Sequence, residues 1–125
     1  MRRVPPVASI AALVLVAACS GGPVQDTAGA VAGGDASRGE AIIRAVGCGS
    51  CHEIGQIRTA RGLVGPPLEH MGRRTTIAGV LPNTPENLVR WVMHPQAVQP
   101  GTAMPDLGLD EAQAQDVTAF LYTRD

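Results

Sequence analysis

Apolar positions along this chain fall into three helical stripes, with one unbroken apolar run near its start. Ile42, Ile43 and Val46 share a face of a stretch over residues 36–46, which Asp35 is placed to cap. Gly39 sits one turn before Ile43 on that stripe, a position where a glycine lets a second helix cross closely. Leu88, Trp91 and Val92 mark a second stretch. It opens on Thr84-Pro85-Glu86, read as N-cap, proline at the first helical position and an acid in the first turn, and it stops before Pro95. Val117, Phe120 and Leu121 mark a third, capped by Asp110 with Gln113 three residues on. No run alternates as a strand would. The rest of the chain is broken by glycine and proline at 62–67, Gly72, Gly79, Pro82 and 95–108. The pattern predicts an all-α domain of three main helices. Loops this long in so small a domain need a bound group to organise them.

The unbroken run, residues 7–18, is twelve uncharged residues behind Arg2 and Arg3. Twelve is too short to span a bilayer as a helix and suits the apolar region of a signal peptide. It ends in Val16-Ala17-Ala18-Cys19, which resembles a bacterial lipobox. That resemblance implies cleavage before Cys19, lipidation of its thiol and a membrane anchor. Residues 1–18 are then a lipoprotein signal peptide. Residues 19–34 form a Gly/Ala-rich flexible linker with a reach of roughly 20 Å, and residues 35–125 form the domain. Cleavage would leave 107 residues with 8 Arg against 11 acids, a balance of −3.

Composition sharpens the problem of the core. The whole chain holds one Trp, one Tyr and one Phe, beside 15 Gly and 10 Pro. A domain so short of aromatic area needs a disulfide, a metal or a cofactor to stabilise it. All ten cations are Arg and they face eleven acids, so no basic patch suits a nucleic acid.

The candidate filler is signalled at Cys48-Gly49-Ser50-Cys51-His52. C-x-x-C-H is the attachment signature for c-type haem: two thiols three apart can each add to a vinyl group, and the next imidazole reaches the iron. Attachment requires an oxidising assembly route, in keeping with a signal peptide. Three rival readings use the same residues. A zinc site would bunch three ligands together with no second cysteine pair. A thiol–disulfide active site would want a βαβ context and leaves His52 unexplained. A plain structural disulfide is the third.

A second axial ligand would come from far along the chain. Met71, Met93, Met104, His70 and His94 are the candidates. Met104 is favoured because it lies in a proline-stiffened loop, Gln99-Pro100-Gly101-Thr102-Ala103-Met104-Pro105. Met93 reads as a helix core residue, and His70 is given no role.

These motifs, in this order, resemble a class I cytochrome c from Gly34 to Tyr122. The resemblance implies one covalent haem c held by Cys48 and Cys51, with His52 and Met104 as iron ligands. Gly65-Pro66-Pro67-Leu68 is similar to the family's Gly-Pro-x-Leu turn, which implies that the Pro66 carbonyl accepts a hydrogen bond from His52. Gly72-Arg73 is similar to a pair whose Arg lies near a haem propionate. Trp91 falls where the family has an aromatic beside the haem, and Thr102 lies in the methionine loop. Ile43 stands where the family's first helix carries an aromatic residue.

With both axial positions filled, the iron would suit electron transfer and not substrate binding. Met ligation and burial would raise its reduction potential. The expected role is a one-electron carrier, not an enzyme, in a bacterial respiratory chain. It would be lipid-anchored on the periplasmic side of the inner or outer membrane. Its partner would be a respiratory complex such as a terminal oxidase, or a periplasmic reductase or other redox protein. The segment 91–122 is similar to cytochrome c domains fused to oxidase subunits. Arg58, Arg61, Arg73 and Arg74 could form a local positive patch. A haem enzyme or ligand sensor with weak Met ligation is the alternative.

Overall fold

The computed structural model describes residue 31 and residues 33–123. The expected signal segment 1–18, Cys19 and residues 20–30 lie outside the described residues. Helix α1 spans Ala36–Val46, α2 spans Pro85–Met93, α3 spans Pro95–Val98 and α4 spans Glu111–Tyr122. The three helices expected from the apolar stripes are present with their caps. Asp35 accepts from the Arg38 N–H and Thr84 from the Asn87 N–H. Asp110 and Gln113 close a reciprocal capping box at the start of α4. The short α3 lay unseen inside a stretch read as loop.

The frame of the domain is the crossing of α1 and α4. Gly39 and Ile43 are the buried residues of α1. A β-carbon at Gly39 would overlap the Asp116 carbonyl oxygen, so the two backbones touch where only hydrogen fits. Asp116 secures the same crossing by charge. Its carboxylate accepts from Arg38 Nε and Nη2, both at 2.8 Å, and from the Asp35 N–H at 2.7 Å. The Arg38 hydrogen bond, with help from the Asp35 N–H and the nearby positive charge, holds the Asp116 carboxyl below its usual range. From Asp116 to Tyr122 every residue of α4 is buried, on all sides of the helix. That exceeds the single stripe of Val117, Phe120 and Leu121 read from the sequence, because α1 and α2 both pack on α4.

Three features depart from the expectations. The domain begins before residue 35: Val31 is 5% exposed and joins the core, and Gly34 has space for no β-carbon against Gln115. The end of the expected linker is thus ordered on α4. The chain is also not free of strands. Strand β1, Thr76–Ile77, pairs antiparallel with β2, Leu81–Pro82, across a turn in which Ala78 and Gly79 both have positive φ. Finally, Tyr122 at the end of α4 donates to Asn83 Oδ1 at 2.6 Å. The Asn83 amide then donates to the carbonyls of Met71 and Arg74. One side chain thereby ties α4 to the 3-10 turn Met71–Arg73.

Candidate functional site

Helix α1 delivers the attachment motif to the interior. It ends at Gly47, whose φ of 80° lets its N–H turn back to the Ile43 carbonyl. The chain passes at once into a 3-10 turn, Cys48–Ser50, and the His52 N–H donates to the Cys48 carbonyl at 3.0 Å. Cys48, Cys51 and His52 are therefore presented on one compact turn, and all three line a cavity of about 510 Å³. Most of its wall is apolar: Ile43, Val46, Leu68, Ile77, Leu88 and Val117 contribute from across the fold.

His52 is held in one orientation. Its Nδ1–H donates to the Pro66 carbonyl at 2.7 Å. That bond fixes the tautomer with the proton on Nδ1 and leaves the Nε2 lone pair free for a metal. The ring lies against Gly65, where a β-carbon would strike the imidazole at Cε1 and Nδ1. The Gly65 N–H donates to the Cys51 carbonyl at 2.8 Å, so the Pro66 turn is bonded back to the motif it orients.

Met104, Trp91 and Thr102 line the same cavity. Met71 does so as well and is buried, whereas Met93, His70 and His94 are not on the wall. The expected propionate residue needs correction. Arg73 is exposed and away from the cavity; Arg74, its neighbour, lines it. The Arg74 Nη2 donates to the carbonyls of Pro67 and Glu69. Arg74 thus braces the turn beside Pro66. Of the expected positive patch, Arg58, Arg61 and Arg73 are exposed. Sequence reasoning also missed Gln96, whose side chain bonds the carbonyls of Thr102 and Met104. A bond from side chain to backbone leaves no periodic trace in a sequence.

The rival readings of the motif fare poorly on this geometry. Both cysteines are free thiols, not a disulfide. Among the described residues no group of three or more His, Cys, Asp or Glu is placed to hold a metal ion. Burial pushes the Cys48 thiol up, with the nearby Cys51 adding to it. A redox-active pair needs a thiol shifted the other way. What remains is a large apolar slot with two thiols and an oriented imidazole at one edge, and a guanidinium on its wall. That donor set fits a flat apolar macrocycle with acidic substituents. The cytochrome c family model matches residues 36–125.

The chain belongs to the cytochrome c family. Its cofactor is covalently bound haem c, and Cys48 and Cys51 are the pair to hold it. The cytochrome c domain is 37% identical, over 87 residues, to the cytochrome c oxidase subunit 2 of Alkalihalophilus pseudofirmus. That match covers 69% of this chain and 25% of the relative. It is 36% identical over 92 residues to the subunit 2 of Bacillus sp. strain PS3, covering 70% and 26%. The Bacillus subtilis subunit 2 is 32% identical over 71 residues, covering 55% and 20%. The chain spans about a quarter of the length of the first two of these relatives.

Proposed function

We propose that this cytochrome c is a one-electron carrier whose haem iron is ligated by His52 and Met104. The observation that carries the reading is the fixed tautomer of His52, its Nδ1–H on Pro66, in a cavity that Met104 also lines. When bound, the haem supplies a reversible ferric–ferrous couple. The chain's residues do the rest. Cys48 and Cys51 would anchor it, the Pro66 carbonyl holds His52 in its ligating orientation, and the apolar wall favours the less charged ferrous site. No residue need donate or take a proton.

Electrons would cross at the edge beside the attachment motif. Leu63 and Val64 are 86% and 72% exposed there, and Val64 also reaches the cavity wall. Exposed Arg58 and Arg61 lie in the preceding loop. An apolar tip flanked by guanidinium groups suits a partner with an acidic rim. The similarity to oxidase subunits makes a membrane oxidase the favoured partner class. With the Cys19 lipid anchor, the carrier would work on the periplasmic side of a bacterial membrane.

The test is the visible spectrum of protein made with haem-maturation machinery. The ferric form should show the red charge-transfer band of Met ligation. Met104→Ala should abolish the band, and Met71→Ala should keep it. Wild type that lacks the band and binds carbon monoxide readily would instead be an open haem enzyme or sensor.

A further inference from the structure

We propose that Gln96 is a positioning residue for Met104, setting how firmly the thioether is held at the iron. The inference rests on the His52–Met104 reading above and deepens it. Residues 100–105 form neither helix nor strand, so their backbone groups need other partners. Gln96 supplies three of them. Its Nε2 donates to the Thr102 carbonyl and to the Met104 carbonyl, both at 2.8 Å. Its Oε1 accepts from the Gly101 N–H at 3.2 Å. The remaining bonds are Thr102 N–H to the Gln99 carbonyl at 3.1 Å and Met104 N–H to Thr102 Oγ1 at 3.4 Å. One carboxamide therefore grips the loop at three points.

The grip is chemically specific. Two carbonyls face one end of the side chain and an N–H faces the other, so only an amide in this orientation satisfies all three. A carboxylate would set its oxygen against two carbonyl oxygens. The base of the grip is firm as well. Gln96 sits in α3 directly after Pro95, which is fully buried, and the Ala97 and Val98 N–H groups both bond the His94 carbonyl. The preceding helix α2 puts Trp91 on the cavity wall. The loop is thus referred to the cavity through a short rigid path, with Gln96 as the link. Gly101, at φ 83°, and Pro105 shape the loop but bring no side-chain bond to it. A thioether is a weak neutral ligand, so its hold depends on where the loop keeps it.

The experiment uses full-length protein with haem attached, in four forms: wild type, Gln96→Glu, Gln96→Leu and Tyr122→Phe. Gln96→Leu removes all three bonds at similar bulk. Tyr122→Phe is a destabilised control that leaves the loop alone. The readouts are the ferric red band against pH, the carbon monoxide on-rate of the reduced protein, and the melting temperature. Gln96→Glu should lose most of the band at neutral pH and regain part of it as its carboxyl is protonated and can donate again. Gln96→Leu should lose the band at every pH, with an on-rate at least tenfold higher. Tyr122→Phe should melt lower with its band intact. If both Gln96 variants keep the full band and the wild-type on-rate while only the melting temperature falls, the proposal is overturned. If wild type has no band, the His52–Met104 reading fails first and takes this inference with it.

Discussion

His52 and Met104 face one cavity from two regions held by different means. On the His52 side the restraint is covalent and steric. The imidazole follows directly on an anchored cysteine, lies against Gly65 with no room to spare, and bonds a carbonyl that belongs to the backbone of a proline turn. Arg74 braces the next residue of that turn, and Asn83 ties the Arg74 carbonyl to Tyr122 on α4. On the Met104 side the main restraint is one polar side chain on a four-residue helix, helped by the weaker Thr102 bonds. On the ligation proposed above, one ligand would be built in and the other held in place. A redox site that must keep one bond permanent and set the strength of the other gains from that division, because the two can be altered separately.

The sharpest way to break the comparison is on the rigid side. Gly65→Ala puts a β-carbon into the His52 ring, and overpacking of that kind costs about 3 kcal/mol. Thermal melting of the haem-loaded protein should show it, together with a fall in covalent haem yield. Next comes the arginine pair. Arg74→Gln should cost about 1 kcal/mol, since a guanidinium bonded to two carbonyls is lost. Arg73→Gln should stay within about 0.5 kcal/mol, as for other exposed positions. Parallel denaturant titrations measure both, and equal effects would return the bracing role to neither. A smaller change is expected from Thr102→Val. It removes a 3.4 Å bond to the Met104 N–H, worth about 0.5 kcal/mol, and should dim the red band slightly while leaving the His52 side unaffected.

A change at the helix crossing should leave the comparison itself unmoved. The Asp116 carboxyl is held below its usual range, so its pairing with Arg38 stabilises the fold above the ordinary carboxylate range. That contribution fades as pH falls through the depressed value. Asp116→Asn should flatten the acid limb of a plot of melting temperature against pH. The ferric spectrum should not change, because Asp116 touches neither ligand region.

Much of this was legible in the chain, for reasons that differ by residue. Cys48, Cys51 and His52 announce themselves because their chemistry depends on adjacent positions in sequence. The three main helices could be read because caps and 3.6-residue stripes are local. Arg73 was singled out because it follows Gly72 in the sequence; the 3-10 turn ends at Arg73 and the chain is extended at Arg74, a change of direction that the sequence pattern does not show. The hairpin of β1 and β2 escaped because two residues are too few to alternate, and its turn uses Ala78 where Asn or Asp would have signalled one. Val31 was assigned to the linker because its burial comes from joining a core built by segments far along the chain. Gln96 escaped because its three partners are backbone atoms, present whatever the residues are.

The cavity also bears on the fate of a chain without its cofactor. A space of about 510 Å³, left dry, would cost on the order of 10 kcal/mol, comparable with the whole stability of an ordinary domain. On that reckoning the bare polypeptide should be far less stable than the haem-loaded protein, a difference that thermal melting of the two forms would read. A chain that misses its cofactor should then be cleaved by proteases at concentrations that spare the haem-loaded form.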